Sequence, residues 1–374
     1  MKKLTALFLI LSLILCGCAG KPAETTTPGT EGVTEAPTTA PATEVPTEVP
    51  TDAVTEVPTE APAEAPTEPP VFRNPLNGEI LEAPMEGRAF AVTINNVQAA
   101  MPMYGVSKAD LFFEMFVNDY CTRGLALFSD IRQVSAVGSV RSMRYNFTDL
   151  CQIYDAVAAY ASGSSQVLSD VAASGIDHIS VESEGSGYYF RDESRRNAGY
   201  AWEHTLFVKG PEIREYARQK GIRMESRKET YGLNFTEDGT PAGGETANEI
   251  TIQLKHDGVT KKTFMRYDAE QGAYLFHQFD QVMYDGAEKQ NIYFENVIVM
   301  FCAVHNESVY HVAELTGSGE GFFACGGKII PIRWSRERAE DPISFTLADG
   351  TPLLLGVGSS YIAIAPLTSY IEYK

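Results

Sequence analysis

Two arginines three residues apart, Arg141 and Arg144, bracket Ser142 in the run Val140-Arg-Ser-Met-Arg144, just after Gly138. The pattern places them between a strand end and a helix start, with Ser142 or Asn146 as the helix cap. Free N–H groups at a helix start and guanidinium forks converge well on an anion such as a phosphate or a carboxylate. The pair stands out because 49 acidic residues outnumber 30 basic ones, for a net charge of −19. The alternative is structural: Arg141 and Arg144 pair with carboxylates such as Asp149 or Glu114.

A second polar group spans Arg191 to Arg196 and Glu203-His204-Thr205. Arg191 with Asp192 would form a fixed ion pair. A His204 oriented by Asp192 would be a general base. Glu114 lies inside Phe112-Phe-Glu-Met-Phe116, where strand alternation sets it opposite Phe113 and Met115. A buried carboxylate is costly unless paired, so Arg123 or Arg141 is its expected partner. Two expectations follow. One is a ligand site of Arg123, Arg141, Ser142, Arg144 and Arg191. The other is a hydrolase or transferase using His204, Asp192 and Glu114.

Other chemistry is absent from the motifs. There is no Gly-x-Ser-x-Gly, His-Glu-x-x-His, phosphate loop or dinucleotide fingerprint, and Ser162-Gly163-Ser164-Ser165 reads as a turn into a helix. No cofactor and no metal-ligand set is legible. Cys121, Cys151, Cys302 and Cys325 form no Cys-x-x-Cys pair. They read as small buried thiols. Cys302 would bridge Cys325 only if their strands brought the Cα atoms within ~7 Å.

Lys2-Lys3, the apolar run from Leu4 to Leu15 and Gly17-Cys18 have the order of an export signal. The apolar run is roughly a dozen residues, against ~20 for a membrane span. A cysteine after a small residue resembles the lipobox of bacterial lipoproteins. That implies cleavage before Cys18, acylation of its thiol and anchoring on the outer face of the cytoplasmic membrane. Residues 19–70 repeat Thr-Glu-Val-Pro and Thr-Glu-Ala-Pro units without an aromatic. They carry ten carboxylates against Lys21, and such a stretch is expected to be a disordered, extended spacer. The acidic balance argues against nucleic acid as a partner. A wall polymer or an envelope protein remains the expected partner.

The body divides by pattern. Residues 71–223 mix strands at Phe90–Ile94, Leu111–Phe116 and Gly124–Phe128 with helices at Asn146–Val157, Ser165–Ala173 and Pro211–Lys220. Residues 224–249 are polar and glycine-rich and read as a linker. Residues 250–374 carry many short strand signals and read as a β-rich domain. The expected class is α+β.

The same residues carry a family resemblance. Asn74-Pro-Leu-Asn-Gly78, Ala91-Val-Thr-Ile-Asn-Asn96, Ser107-Lys-Ala-Asp110, Glu114, Thr122-Arg-Gly-Leu-Ala-Leu-Phe128, Val137-Gly-Ser-Val-Arg-Ser-Met-Arg144, Arg191-Asp192 and His204-Thr-Leu-Phe207 resemble the N-terminal domain of the YerB family, lipoproteins of unassigned function. Asn296 to Phe301, Gly317-Ser-Gly319, Gly326 to Ile330, Trp334 and Asp349-Gly350 resemble the C-terminal domain. The resemblance implies a layered α+β sandwich for the first block. Two positions depart from it: Asn95-Asn96 stands for the usual Asp-Asn, and Met101-Pro-Met103 for the usual Arg-Pro-Gln. Both departures alter the charge pattern.

Overall fold

The computed structural model describes residues 71–374 other than Glu86 and Glu229. The expected signal, the Cys18 lipid site and the 19–70 spacer lie outside the described residues. The strand Leu111–Asn118 organises the rest. Its run is almost wholly apolar, which suits a strand buried on both faces. Leu111, Phe113, Met115 and Val117 enter one core, while Phe112 and Phe116 enter the other.

This strand sits inside an eleven-stranded mixed sheet. On one side follow Cys121–Phe128, Phe90–Asn95, Val157–Tyr160 and His178–Ser180. On the other lie Ser360–Pro366, Asn296–Cys302, Gly317–Cys325, Lys328–Arg336 and Glu245–Thr246, with Ser344–Thr346 paired to 328–336. The join is parallel, from Ser360 opposite Leu111 to Ile364 opposite Met115. Strands from the blocks before residue 223 and after residue 250 thus share one hydrogen-bonded sheet. The stretch between them carries two short strands. Asn234–Thr236 pairs with Leu354–Gly356, and Glu245–Thr246 pairs with the 328–336 strand.

Each face of the large sheet is covered. A six-stranded sheet, built on Glu249–His256, Val259–Asp268, Ala273–Gln278 and Tyr370–Tyr373, closes the Phe112 face. There Phe112, Phe276, Phe294 and Tyr361 pack with ring centroids 5.6–6.3 Å apart. Helices α1 (Tyr145–Ile153) and α2 (Ser165–Ser174) cover the other face through Phe147, Leu150, Ile153, Val167 and Val171. The Ser164 hydroxyl accepts from the Val167 amide to start α2, and Gly175 in a left-handed conformation ends it. Helix α3 (Glu193–Asn197) and helix α4 (Gly210–Gln219) flank a small sheet of Val137–Gly138, Leu206–Val208 and Tyr189–Arg191. Among the described residues no helix is long and apolar enough to cross a membrane.

The four body cysteines are free thiols. Cys302 and Cys325 do lie on neighbouring strands, but Val297 faces Ala324 and Met300 faces Gly321. That antiparallel register sends the two thiols to opposite ends of the pair, on the order of 20 Å apart at the usual rise per residue. Burial pushes the thiols up, to about 12 for Cys302 and about 11 for Cys325.

Candidate functional site

Arg123 stands on the Cys121–Phe128 strand on the helix-covered face, in line with Leu125 and Leu127. Thr122 and Gly124 alternate to the other face, where a Cβ at 124 would lie 2.5 Å from the Phe112 ring. Asn95 is directly opposite Arg123. Beyond it, residues 139–141 run along the end of the Phe90–Asn95 strand. The Asn95 amide donates to Ser139 at 2.9 Å, and the Arg141 amide to Thr93 at 3.0 Å. The Met143 amide then donates to Ser162 at 2.7 Å and Arg144 becomes the N-cap residue of α1. Strand pairing and a helix start therefore bring Arg123, Arg141 and Arg144 together.

None of the three makes an ion pair with a carboxylate among the described residues. Arg123 is 3% exposed and donates to the Ser142 carbonyl at 2.8 Å. Burial, then Arg144 and Arg141, push its guanidinium down to about 9, so it still carries its proton at neutral pH. Burial also lowers Arg141 and Arg144. Their Nε atoms are shielded from solvent and have no hydrogen-bond partner. Arg144 stacks on the Tyr310 ring at 4.7 Å and donates to the Met143 carbonyl at 2.7 Å.

The expected helix caps are otherwise engaged. No side chain caps the first turn of α1. The Ser142 hydroxyl meets that of Ser162 at 2.9 Å. Asn146 grips both backbone atoms of Ala313 at 2.8 Å, tying the helix to a hairpin. The first turn of α1 thus starts beside three guanidinium groups, of which Arg141 donates to the Glu203 carbonyl at 3.4 Å and feels the Glu203 carboxylate. Asp149 does not neutralise them: this carboxylate meets Asn146 and lies in the field of Arg336.

The other sequence candidates go elsewhere. Arg191 is paired with Glu182, bonds the Trp202 carbonyl at 2.6 Å and lies over the Trp202 ring at 4.1 Å. Its hydrogen-bonding capacity is spent on Glu182 and on holding the 202–205 segment. Asp192 caps α3 by accepting from the Ser194 and Arg195 amides. His204 meets Asn95 instead, with the Asn95 amide nitrogen 2.7 Å from Nδ1, and burial lowers its pKa. Glu114 is wholly buried on the opposite face of the sheet from Arg123, so neither expected arginine reaches it. It accepts from Asn96, Thr122, Thr263, Gln278 and Tyr361 at 2.6–3.1 Å. The three catalytic candidates therefore do not assemble into one acid–base set.

Two contributors are not among the expected site residues, although Asn95 is one of the departures from the family pattern. Asn95 lies between Arg123 and His204, which strand register alone reveals. Tyr310 comes from a hairpin some 165 residues along the chain, and nothing near it in sequence marks it. The Met101-Pro-Met103 stretch has a separate use: the Ala100 and Pro102 carbonyls hold the buried Arg195 guanidinium at 2.9 and 2.5 Å.

Comparison with known proteins agrees with this architecture. The family model described as "Protein of unknown function (DUF3048) N-terminal domain" matches residues 76–223. The corresponding C-terminal model matches residues 250–362. A Bacillus subtilis (strain 168) protein described as "Putative lipoprotein YerB" is 25% identical over 297 residues, 78% of this chain and 86% of that protein. The crystal structure of the YerB protein from Bacillus subtilis superposes with a TM-score of 0.69 at 21% identity, covering 80% of this chain and 99% of that one. With both domain models matched in order across the described body, the chain belongs to the YerB (DUF3048) family.

Proposed function

We propose that this protein is a lipid-anchored extracytoplasmic binding protein whose Arg123–Arg141–Arg144 cluster takes up the anionic group of a cell-envelope polymer. One observation carries the reading: a buried, charged Arg123 faces two further arginines and no carboxylate. Removing a charge from water costs several kcal/mol when nothing compensates it. A phosphate or carboxylate bridging the three guanidinium groups would supply the missing counter-charge. The Cys18 pattern and the likeness to a protein described as a lipoprotein support anchoring through acyl chains. The acidic repeats before residue 70 would lift the body toward the wall.

The test is a titration of the purified full chain with pyrophosphate and with an anionic wall polymer. Arg141→Ala and Arg144→Ala are each expected to weaken binding about tenfold, or ~1.4 kcal/mol. Affinity should fall with added salt as exposed charge is screened. Unchanged binding in both variants would rule the cluster out.

A further inference from the structure

The hairpin of Val304–Glu307 and Tyr310–Ala313 turns Tyr310 toward Arg144. His311, the next residue, alternates to the other side and meets a second hairpin. There His256 pairs with Val259 across the two-residue turn Asp257-Gly258. Both turn residues have positive φ, +44° and +82°, the conformation that an Asp-Gly turn supports. A nitrogen of His256, a nitrogen of His311 and a carboxylate oxygen of Asp257 come within 4.8 Å of one another. The two imidazole centroids are 4.3 Å apart, edge to face, and Phe116 lies 6.2–6.4 Å from both.

The contacts around the cluster single it out. Asp119 Oδ1 sits 3.1 Å from His311 Nε2. Asn306 occupies the centre, with Oδ1 2.6 Å from His311 Nδ1 and 3.4 Å from His256 Nε2. Its nitrogen is 3.0 Å from the Asp257 carboxylate. One amide thus joins two imidazole nitrogens and a carboxylate, so three groups of metal-ligand type converge on one spot. A cation taking the place of the amide would be within reach of all three.

We propose that His256, Asp257 and His311 form a binding site for a divalent transition ion of the zinc type, with Asp119 orienting His311. Two imidazoles with one carboxylate suit zinc or cobalt better than calcium or magnesium. A carboxylate holding the far nitrogen of a ligating histidine is the usual supporting arrangement. Metal bonds of about 2 Å require the ligand atoms to close to roughly 3–4 Å. Asp257 lies half-exposed on its turn and has room for that movement, and the Asn306 amide yields its place at the centre or turns its oxygen to the ion. This site is independent of the arginine cluster.

The experiment is a titration of the chelator-treated full chain with Zn2+ and with Co2+, following heat release and the visible bands of cobalt. The expected result is one ion per chain, cobalt bands typical of nitrogen and oxygen ligands, and a raised melting temperature. His256→Gln, on a partly exposed strand end, should weaken binding at least about a hundredfold with an unchanged circular dichroism spectrum. Asp119→Asn should weaken it about tenfold. His311→Gln should behave like His256→Gln if it folds, and His256→Gln decides the matter if it does not. No stoichiometric binding, or equal binding in His256→Gln, would overturn the site.

Discussion

Glu114 and Arg123 stand on neighbouring strands, both shielded from solvent, and are treated in opposite ways. Glu114, beneath the smaller sheet, receives five neutral donors drawn from both sheets. Arg123, on the helix side, has one carbonyl acceptor and two arginines as neighbours. A carboxylate surrounded by donors needs nothing more and locks the two sheets in register. A guanidinium left short of acceptors is a cost that the fold alone does not recover. The difference separates a charge whose partners are all supplied by the fold from one that the proposed ligand would neutralise.

Glu114→Ala should be the most damaging way to probe that contrast. Five buried donors lose their acceptor at once, so urea unfolding should show a loss of about 3–5 kcal/mol. A loss under about 1 kcal/mol would erase the distinction. Arg123→Met should do the reverse. Without ligand its stability should stay within about 1 kcal/mol of the parent or rise, because an apolar side chain replaces a poorly compensated charge. Its affinity for pyrophosphate should fall at least about tenfold. If Arg123→Met unfolds the protein as readily as Glu114→Ala does, Arg123 belongs to the framework after all. Asn95→Asp is the subtlest probe. It sets a carboxylate directly across from Arg123 and should reduce anion affinity roughly three- to tenfold while leaving the melting temperature equal or higher. An affinity increase would show that Asn95 is remote from the bound group.

Much of the architecture was legible because local patterns reflect local forces. The apolar run at Leu111–Phe116 announced a strand, and Ser164 and Gly175 bracketed α2. Pro211 and Gly221 likewise marked α4, observed at Gly210–Gln219. The site was partly legible too: Arg141 and Arg144 fall at a helix start, as their spacing suggested. What failed were the pairings. Glu114 was matched to Arg123 or Arg141, yet adjacent strands place Thr122 and Gly124, not Arg123, on the Glu114 face. Asp192 was matched to His204, yet Ser194 and Arg195 of helix α3 claimed its carboxylate as a cap.

From residues alone one can read that this chain alternates strands with a few helices, carries arginines in an acidic body and opens with a Lys-Lys, apolar and Gly17-Cys18 order of the kind expected of an export signal. Local preferences encode these features, since a few neighbouring residues suffice to express them. Only tertiary structure decides that Ser360–Pro366 lies beside Leu111–Asn118, that Glu114 is met by Tyr361 and Gln278, and that His256 faces His311. Those partners are 55 to 249 residues apart. Their meeting depends on which faces the whole chain must bury together, and no short stretch of sequence contains that information.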